Sequence, residues 1–140
     1  MDEKKIQYLQ MIQEPISRMS TTSAIFKGIA ATIVAAISLI SYSETNTWVL
    51  IFSFFPILAF AMLDVYYVVL ERKFRFLYKQ VCTDKHPVDF SMDLPTAPLE
   101  IIEAKARIWD CIKSPSIFLF YPLMFTILIV VIVFKCTNLI

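Results

Sequence analysis

Apolar residues in this chain gather into three long runs, separated by stretches in which apolar and polar residues alternate at regular spacing. A hydrocarbon core about 30 Å thick takes roughly 20 apolar residues of helix to cross. Three runs meet that length: residues 24–42 (AIFKGIAATIVAAISLISY), 48–70 (WVLIFSFFPILAFAMLDVYYVVL) and 116–134 (SIFLFYPLMFTILIVVIVF). They predict three transmembrane helices. Residues 43–47 (SETNT) then form a hairpin loop, residues 71–115 a longer connection, and residues 1–23 and 135–140 the flanking segments.

The intervening stretches carry helical periodicity of their own. Ile6, Leu9, Ile12 or Gln13, Ile16 and Met19 recur at helical spacing, so residues 2–19 read as an amphipathic helix. Pro15 starts or kinks it, and residues 20–23 (STTS) offer caps before the first span. After the second span, ERKFRFLYK (residues 71–79) holds no Gly or Pro, and the helix is expected to continue to about Val81. Arg72, Arg75 and Lys79 share one face of it, Phe74, Leu77 and Val81 another. Residues 88–94 (VDFSMDL) alternate apolar and polar strictly, as a short strand or an extended tether does. Residues 98–113 predict an amphipathic helix with Leu99, Ile102, Ala106, Trp109 and Ile112 as its stripe. Ser114 and Pro115 then cap and start the third span.

Composition places the chain in a membrane. Of 140 residues, 58% are hydrophobic and 18% charged, against about 45–50% and 25% in soluble domains. Such a chain is not disordered. Its single glycine, Gly28, excludes a collagen or a Gly-rich phosphate loop. A leading region of more than 20 residues is too long for an ordinary signal peptide, so the first span reads as a retained anchor.

Charge sets the orientation. The formal net charge is only +1, which taken as a total argues against a nucleic-acid binder. The distribution differs from the total. Lys4, Lys5, Arg18 and Lys27 precede or open the first span; Arg72, Lys73, Arg75, Lys79, Lys85, Lys105, Arg107 and Lys113 lie between the second and third. Only Lys135 follows the third. The positive-inside rule gives a cytoplasmic N-terminus and an outer C-terminus. Tyr42 and Trp48 then stand at the outer interface.

No catalytic constellation is visible: no nucleophile elbow, no HExxH and no cluster of His, Asp and Glu. The chain is expected not to be an enzyme and to take no cofactor or metal. Cys82, Cys111 and Cys136 lack metal-ligand spacing and are expected to stay unpaired. His86, beside Pro87, reads as a loop residue or a pH switch. Asp64 is the only acidic residue inside a span; it marks a helix contact, with Lys27 or Arg72 in reach, or a water-filled path. Gly28, Thr32 and Ala36, broadened by Ala31, Ala35 and Ser38, give a small-residue face for helix packing, or, through Thr32, Ser38 and Ser41, a pore lining. Pro56 and Pro122 interrupt the second and third spans. The stretch RKFRFLYK anchors the inner leaflet, or offers a basic, aromatic-bearing surface to an anionic ligand.

The stretch from Tyr8 to Ser38, DVYYVVLERKFRFLY (Asp64 to Tyr78) and DFSMDL (Asp89 to Leu94) resemble a family of small bacterial membrane proteins of anti-phage defence operons, encoded beside nucleotidyltransferases: the membrane effectors of the Hailong system. The resemblance implies an oligomeric ion channel. A short DNA oligomer made by the partner enzyme holds it closed, and loss of that ligand depolarises the membrane. It assigns no ligand residues.

The expected fold is an all-α membrane protein with three transmembrane helices and a small, mainly helical cytosolic layer, assembled as a symmetric homo-oligomer, expected to be a tetramer, in the bacterial inner membrane. The expected function is a ligand-gated channel or pore-forming effector of bacterial immunity, with a nucleotide or short DNA oligomer as ligand. Candidate ligand-binding residues are Arg72, Lys73, Arg75, Lys79, Lys105 and Arg107; candidate pore-lining residues are Thr32, Ser38 and Asp64. The alternatives are a non-conducting membrane scaffold that recruits a cytosolic enzyme, and a holin-like toxin.

Overall fold

The computed structural model describes residues 3–41 and 47–137. Among them the chain is all-helical, with no strand. The elements are α1 (Glu3–Ile40), α2 (Thr47–Phe52), α3 (Phe54–Cys82), α4 (Pro98–Glu103), α5 (Ile108–Ile112) and α6 (Pro115–Cys136). Three stretches are long and apolar enough to cross a membrane: Glu3–Ile40, Trp48–Cys82 and Pro98–Cys136. Residues 43–46 of the expected hairpin at 43–47, the interfacial Tyr42 and the end of the tail at residues 138–140 lie outside the described residues; Thr47 opens α2.

Local chemistry explains where the helices depart from the sequence reading. Residues 20–23 do not cap a new helix; α1 runs through them and through Pro15 without a break. Thr21 and Thr22 turn their hydroxyls back to the carbonyls of Ser17 and Arg18, at 3.0 and 2.8 Å. That bond satisfies a threonine inside a helix. The second span, by contrast, divides at Ser53 into α2 and α3. Pro56 cannot donate a hydrogen bond to the preceding turn, and the division puts it in the first turn of α3, where no donor is needed.

The helix expected over residues 98–113 is two short ones. Lys105 adopts a left-handed conformation at φ 50°. Its N–H donates to the Ile102 carbonyl and that of Ala106 to the Ile101 carbonyl, both at 3.0 Å. These paired bonds are the Schellman closure of a helix end, usually built on glycine. α3 ends in the same way: Asp84 is at φ 56°, and Asp84 and Lys85 donate to the Val81 and Gln80 carbonyls.

The chain divides into two compact units, residues 1–23 with 65–112, and residues 24–64 with 113–140. The first has a core of Tyr8, Leu9 and Ile12 from α1 and Phe74, Leu77 and Val81 from α3, with Met92 and Leu94 packed against it. Residues 88–94 form no strand; the chain bends at Val88 and Asp89 and takes a left-handed conformation at Phe90, φ 60°. The polar positions serve the backbone: Asp89 accepts from the Ser91 N–H at 2.9 Å, and the Ser91 hydroxyl from the Asp93 N–H at 3.2 Å. Those N–H groups are thus spent locally rather than in a ladder. Tyr8, fully buried, donates its hydroxyl to the Ser91 carbonyl and meets Phe90 ring to ring at 5.4 Å.

The second unit buries Ala30, Val34, Leu50, Ile57, Ile117, Tyr121 and Leu128. α2 packs on α6, and Phe54 stacks on Phe125 at 5.6 Å. Leu39, Phe55, Met62, Phe118 and Leu119 are exposed, as suits side chains that face lipid. Lys135 donates to the Ser41 carbonyl at 3.0 Å, placing a cation at the negative end of α1. Pro115 opens α6, with Ser114 at the N-cap position but without a side-chain cap bond.

Candidate functional site

Two faces of α3 do different work in the first unit. Phe74, Leu77 and Val81 point into the core. The opposite face, with Arg72, Arg75, Phe76, Lys79, Gln80 and Thr83, lines a groove of about 680 Å³, completed by Lys85, Glu103, Ala104 and Lys105. The i, i+3, i+7 spacing of Arg72, Arg75 and Lys79 produces this separation, since those positions lie on one side of a helix.

Five cationic side chains against the one carboxylate of Glu103 line the groove. Arg72 donates to the Lys105 carbonyl at 2.7 Å and so holds the end of α4 beside α3. Arg75 pairs with Glu71 one turn back at 2.7 Å, with its side chain 60% exposed. A pair that open contributes little to stability and leaves the guanidinium available to a stronger anion. Among the described residues, no carboxylate lies within ion-pair distance of Lys79, Lys85 or Lys105. Phe76 adds an aromatic wall. A groove with several cations and an aromatic suits a ligand with several phosphates and flat bases.

Of the six candidate ligand residues, the structure brings together Arg72, Arg75, Lys79 and Lys105. Lys73 and Arg107 do not line the groove. Lys85, absent from the sequence-based set, does. It lies past the end of α3, and the left-handed turn at Asp84 brings it back; no periodicity reveals such a turn.

The candidate pore residues are placed separately. Thr32 is exposed and its hydroxyl is bonded to the Gly28 carbonyl at 2.9 Å. Ser38 is half-buried, bonded to the Val34 carbonyl at 2.8 Å, about 120° further round α1. Ser41, the weaker pore candidate, is buried, with its hydroxyl on the Ser38 carbonyl. Asp64 is fully buried and ion-paired with Lys27 at 2.6 Å. The Tyr121 hydroxyl donates to the Phe60 carbonyl at 3.3 Å, one turn of α3 before Asp64. Inside the second unit, the Lys27–Asp64 pair thus links α1 to α3, and Tyr121 links α6 to α3. Of the partners suggested for Asp64 by sequence, the structure selects Lys27. Space around Gly28 is open: a Cβ there would meet nothing within 4 Å.

Cys82, Cys111 and Cys136 are free thiols. Among the described residues no group of three His, Cys, Asp or Glu side chains is arranged to hold a metal ion. The His86 ring lies 6.4 Å from that of Tyr8, with Nδ1 2.9 Å from the Pro87 carbonyl. No protein-family model, curated protein or solved structure matches this chain.

Proposed function

We propose that this chain is a membrane effector whose conductance is controlled by a phosphate-bearing ligand, a nucleotide or short DNA oligomer, seated in the groove of α3. The observation that carries this reading is the convergence of Arg72, Arg75, Lys79, Lys85 and Lys105 on one groove. A polyanion releases counterions from such a surface, and affinity then falls with salt in proportion to the phosphates contacted. In this reading the chain is one subunit of a symmetric homo-oligomer in the bacterial inner membrane, with the groove in the cytoplasm and the C-terminus outside. The positive-inside distribution supports that orientation. The resemblance of the Tyr8–Ser38 and Asp64–Tyr78 stretches to defence-operon effectors supports a role in anti-phage immunity. There, release of the ligand opens the channel.

The test is planar-bilayer recording of the purified, reconstituted protein with and without a short single-stranded DNA oligomer. A conductance that the oligomer suppresses is the expected result. Absence of conductance in both conditions, or of oligomer binding, overturns it.

One observation favours a second reading, the non-conducting scaffold. Within one chain Asp64 is fully buried and paired with Lys27, which is how a structural helix contact is built. A silent bilayer with an intact oligomer selects it.

A further inference from the structure

α4 buries none of its residues, and α5 buries only Cys111. Their apolar side chains are turned outward: Leu99 is 75%, Ile108 61% and Trp109 73% exposed. Ile102 is exposed too. Large apolar side chains exposed together along one short stretch mark contact with something other than water. Neither helix, at 6 and 5 residues, can cross a bilayer.

The covering partner follows from continuity. Only Lys113 and Ser114 separate Ile112 from Pro115, the first residue of α6. Chain length therefore ties the end of α5 to the level at which α6 enters the membrane. Within Pro98–Cys136 an 18-residue window is apolar enough to cross a membrane, and α5 leads into that span without an intervening loop. Tryptophan favours the headgroup level, where its ring is apolar and its N–H remains hydrated. Arg107 is exposed and lines no part of the basic groove. Its long stem can lie along apolar surface while its guanidinium reaches a phosphate.

We infer that residues 98–109 form an interfacial elbow, with Leu99, Ile102, Ile108 and Trp109 seated in the headgroup–acyl boundary of the bilayer and Arg107 at the lipid phosphates. The occupant is lipid, and the attachment is chiefly apolar. Glu100, Glu103 and Asp110 are exposed on the same stretch, so a net positive charge does not draw the elbow down. A zwitterionic bilayer suffices. This assignment does not depend on the ligand reading of the groove.

Tryptophan fluorescence tests it, because Trp48 and Trp109 are the only two tryptophans. The full-length Trp48→Phe variant is reconstituted into phosphatidylcholine vesicles, leaving Trp109 as the sole reporter. Lipids brominated near the carbonyl end of the acyl chain should quench it more than lipids brominated near the chain terminus, with little change when anionic lipid is added. Solvent-like emission quenched by aqueous iodide overturns the inference. So does blue-shifted emission that neither brominated lipid quenches, the result expected if a second protein surface covers the elbow. A second measurement needs no variant. Wild-type protein is labelled in phosphatidylcholine vesicles by a photoactivatable lipid whose reactive group sits at the headgroup boundary, and the labelled peptides are mapped. Label on residues 98–109 is expected; label confined to residues 116–134 and the other two apolar runs overturns the proposal.

Discussion

The Lys27 ammonium lies 2.6 Å from Oδ2 of Asp64, so one ion pair bridges α1 and α3. The carboxylate has no exposed surface and the lysine side chain is 16% exposed. Removing two charges from water is costly, and their attraction repays that cost only while both remain. The pair is therefore a condition on how α1 and α3 pack rather than a surplus of stability.

Loss of one partner should be worse than loss of both. Asp64→Asn or Lys27→Met alone should destabilise by about 3–5 kcal/mol, read as thermal unfolding in detergent. The double substitution should recover a large part of that loss, because no uncompensated charge is left buried. Additive losses in the double-mutant cycle would mean that the two residues do not act as a pair. Bilayer recording of Asp64→Asn adds a functional readout: an altered cation preference is expected if the carboxylate lines an ion path, and an unaltered channel assigns it to packing alone.

In the groove, membership should decide the effect of each basic residue. Lys79→Ala and Lys85→Ala should each weaken binding of a short single-stranded DNA oligomer and lower the salt dependence of the affinity by about one phosphate contact. Lys73→Ala and Arg107→Ala lie outside the groove and should leave both nearly unchanged. Fluorescence anisotropy across a salt series separates the two sets. Equal losses in all four would indicate diffuse attraction instead of a defined groove.

Lys105 should trade stability against binding. A non-glycine residue at φ 50° strains a position where glycine is free. Lys105→Gly should raise stability by up to about 1 kcal/mol while removing one cation from the groove. Unfolding and oligomer binding, measured on the same preparation, should move in opposite directions.

Tyr8 gives a pH test. Burial raises its phenol above the usual tyrosine value, and the carboxylates of Asp89 and Asp93 add to the shift. The folded state therefore favours the neutral phenol. Its contribution is whole below the unfolded value of about 10 and is lost as the pH climbs through the raised folded value. Tyr8→Phe should cost about 1 kcal/mol at neutral pH through the lost bond to Ser91. The difference between variant and wild type should shrink in unfolding curves taken above about pH 10. A constant gap across that range would exclude the linkage.

How much of this was legible beforehand depends on whether periodicity carried the information. Arg72, Arg75 and Lys79 opposite Phe74, Leu77 and Val81 could be read directly, because one straight helix sets both faces. The three apolar runs were equally plain. The breaks were harder. Residues 98–113 keep a helical stripe throughout, and nothing local announces that Lys105 will take a left-handed turn without glycine. Lys85 is in the groove for the same reason, through the turn at Asp84. In the opposite sense, the STTS stretch carries capping residues, yet α1 passes through because Thr21 and Thr22 satisfy themselves within the helix. Residues 88–94 have the alternation of a strand, but the bend at Val88–Asp89, the left-handed Phe90 and the local bonds to Asp89 and Ser91 take the backbone out of that conformation.

The Arg72 guanidinium donates to the Lys105 carbonyl at the end of α4, and it also faces the groove. That bond uses one of the five N–H donors of the guanidinium, so Nε and Nη2 can still take a phosphate. One side chain can thus hold α4 and the ligand together, and the end of α4 becomes part of what an occupied groove rests on.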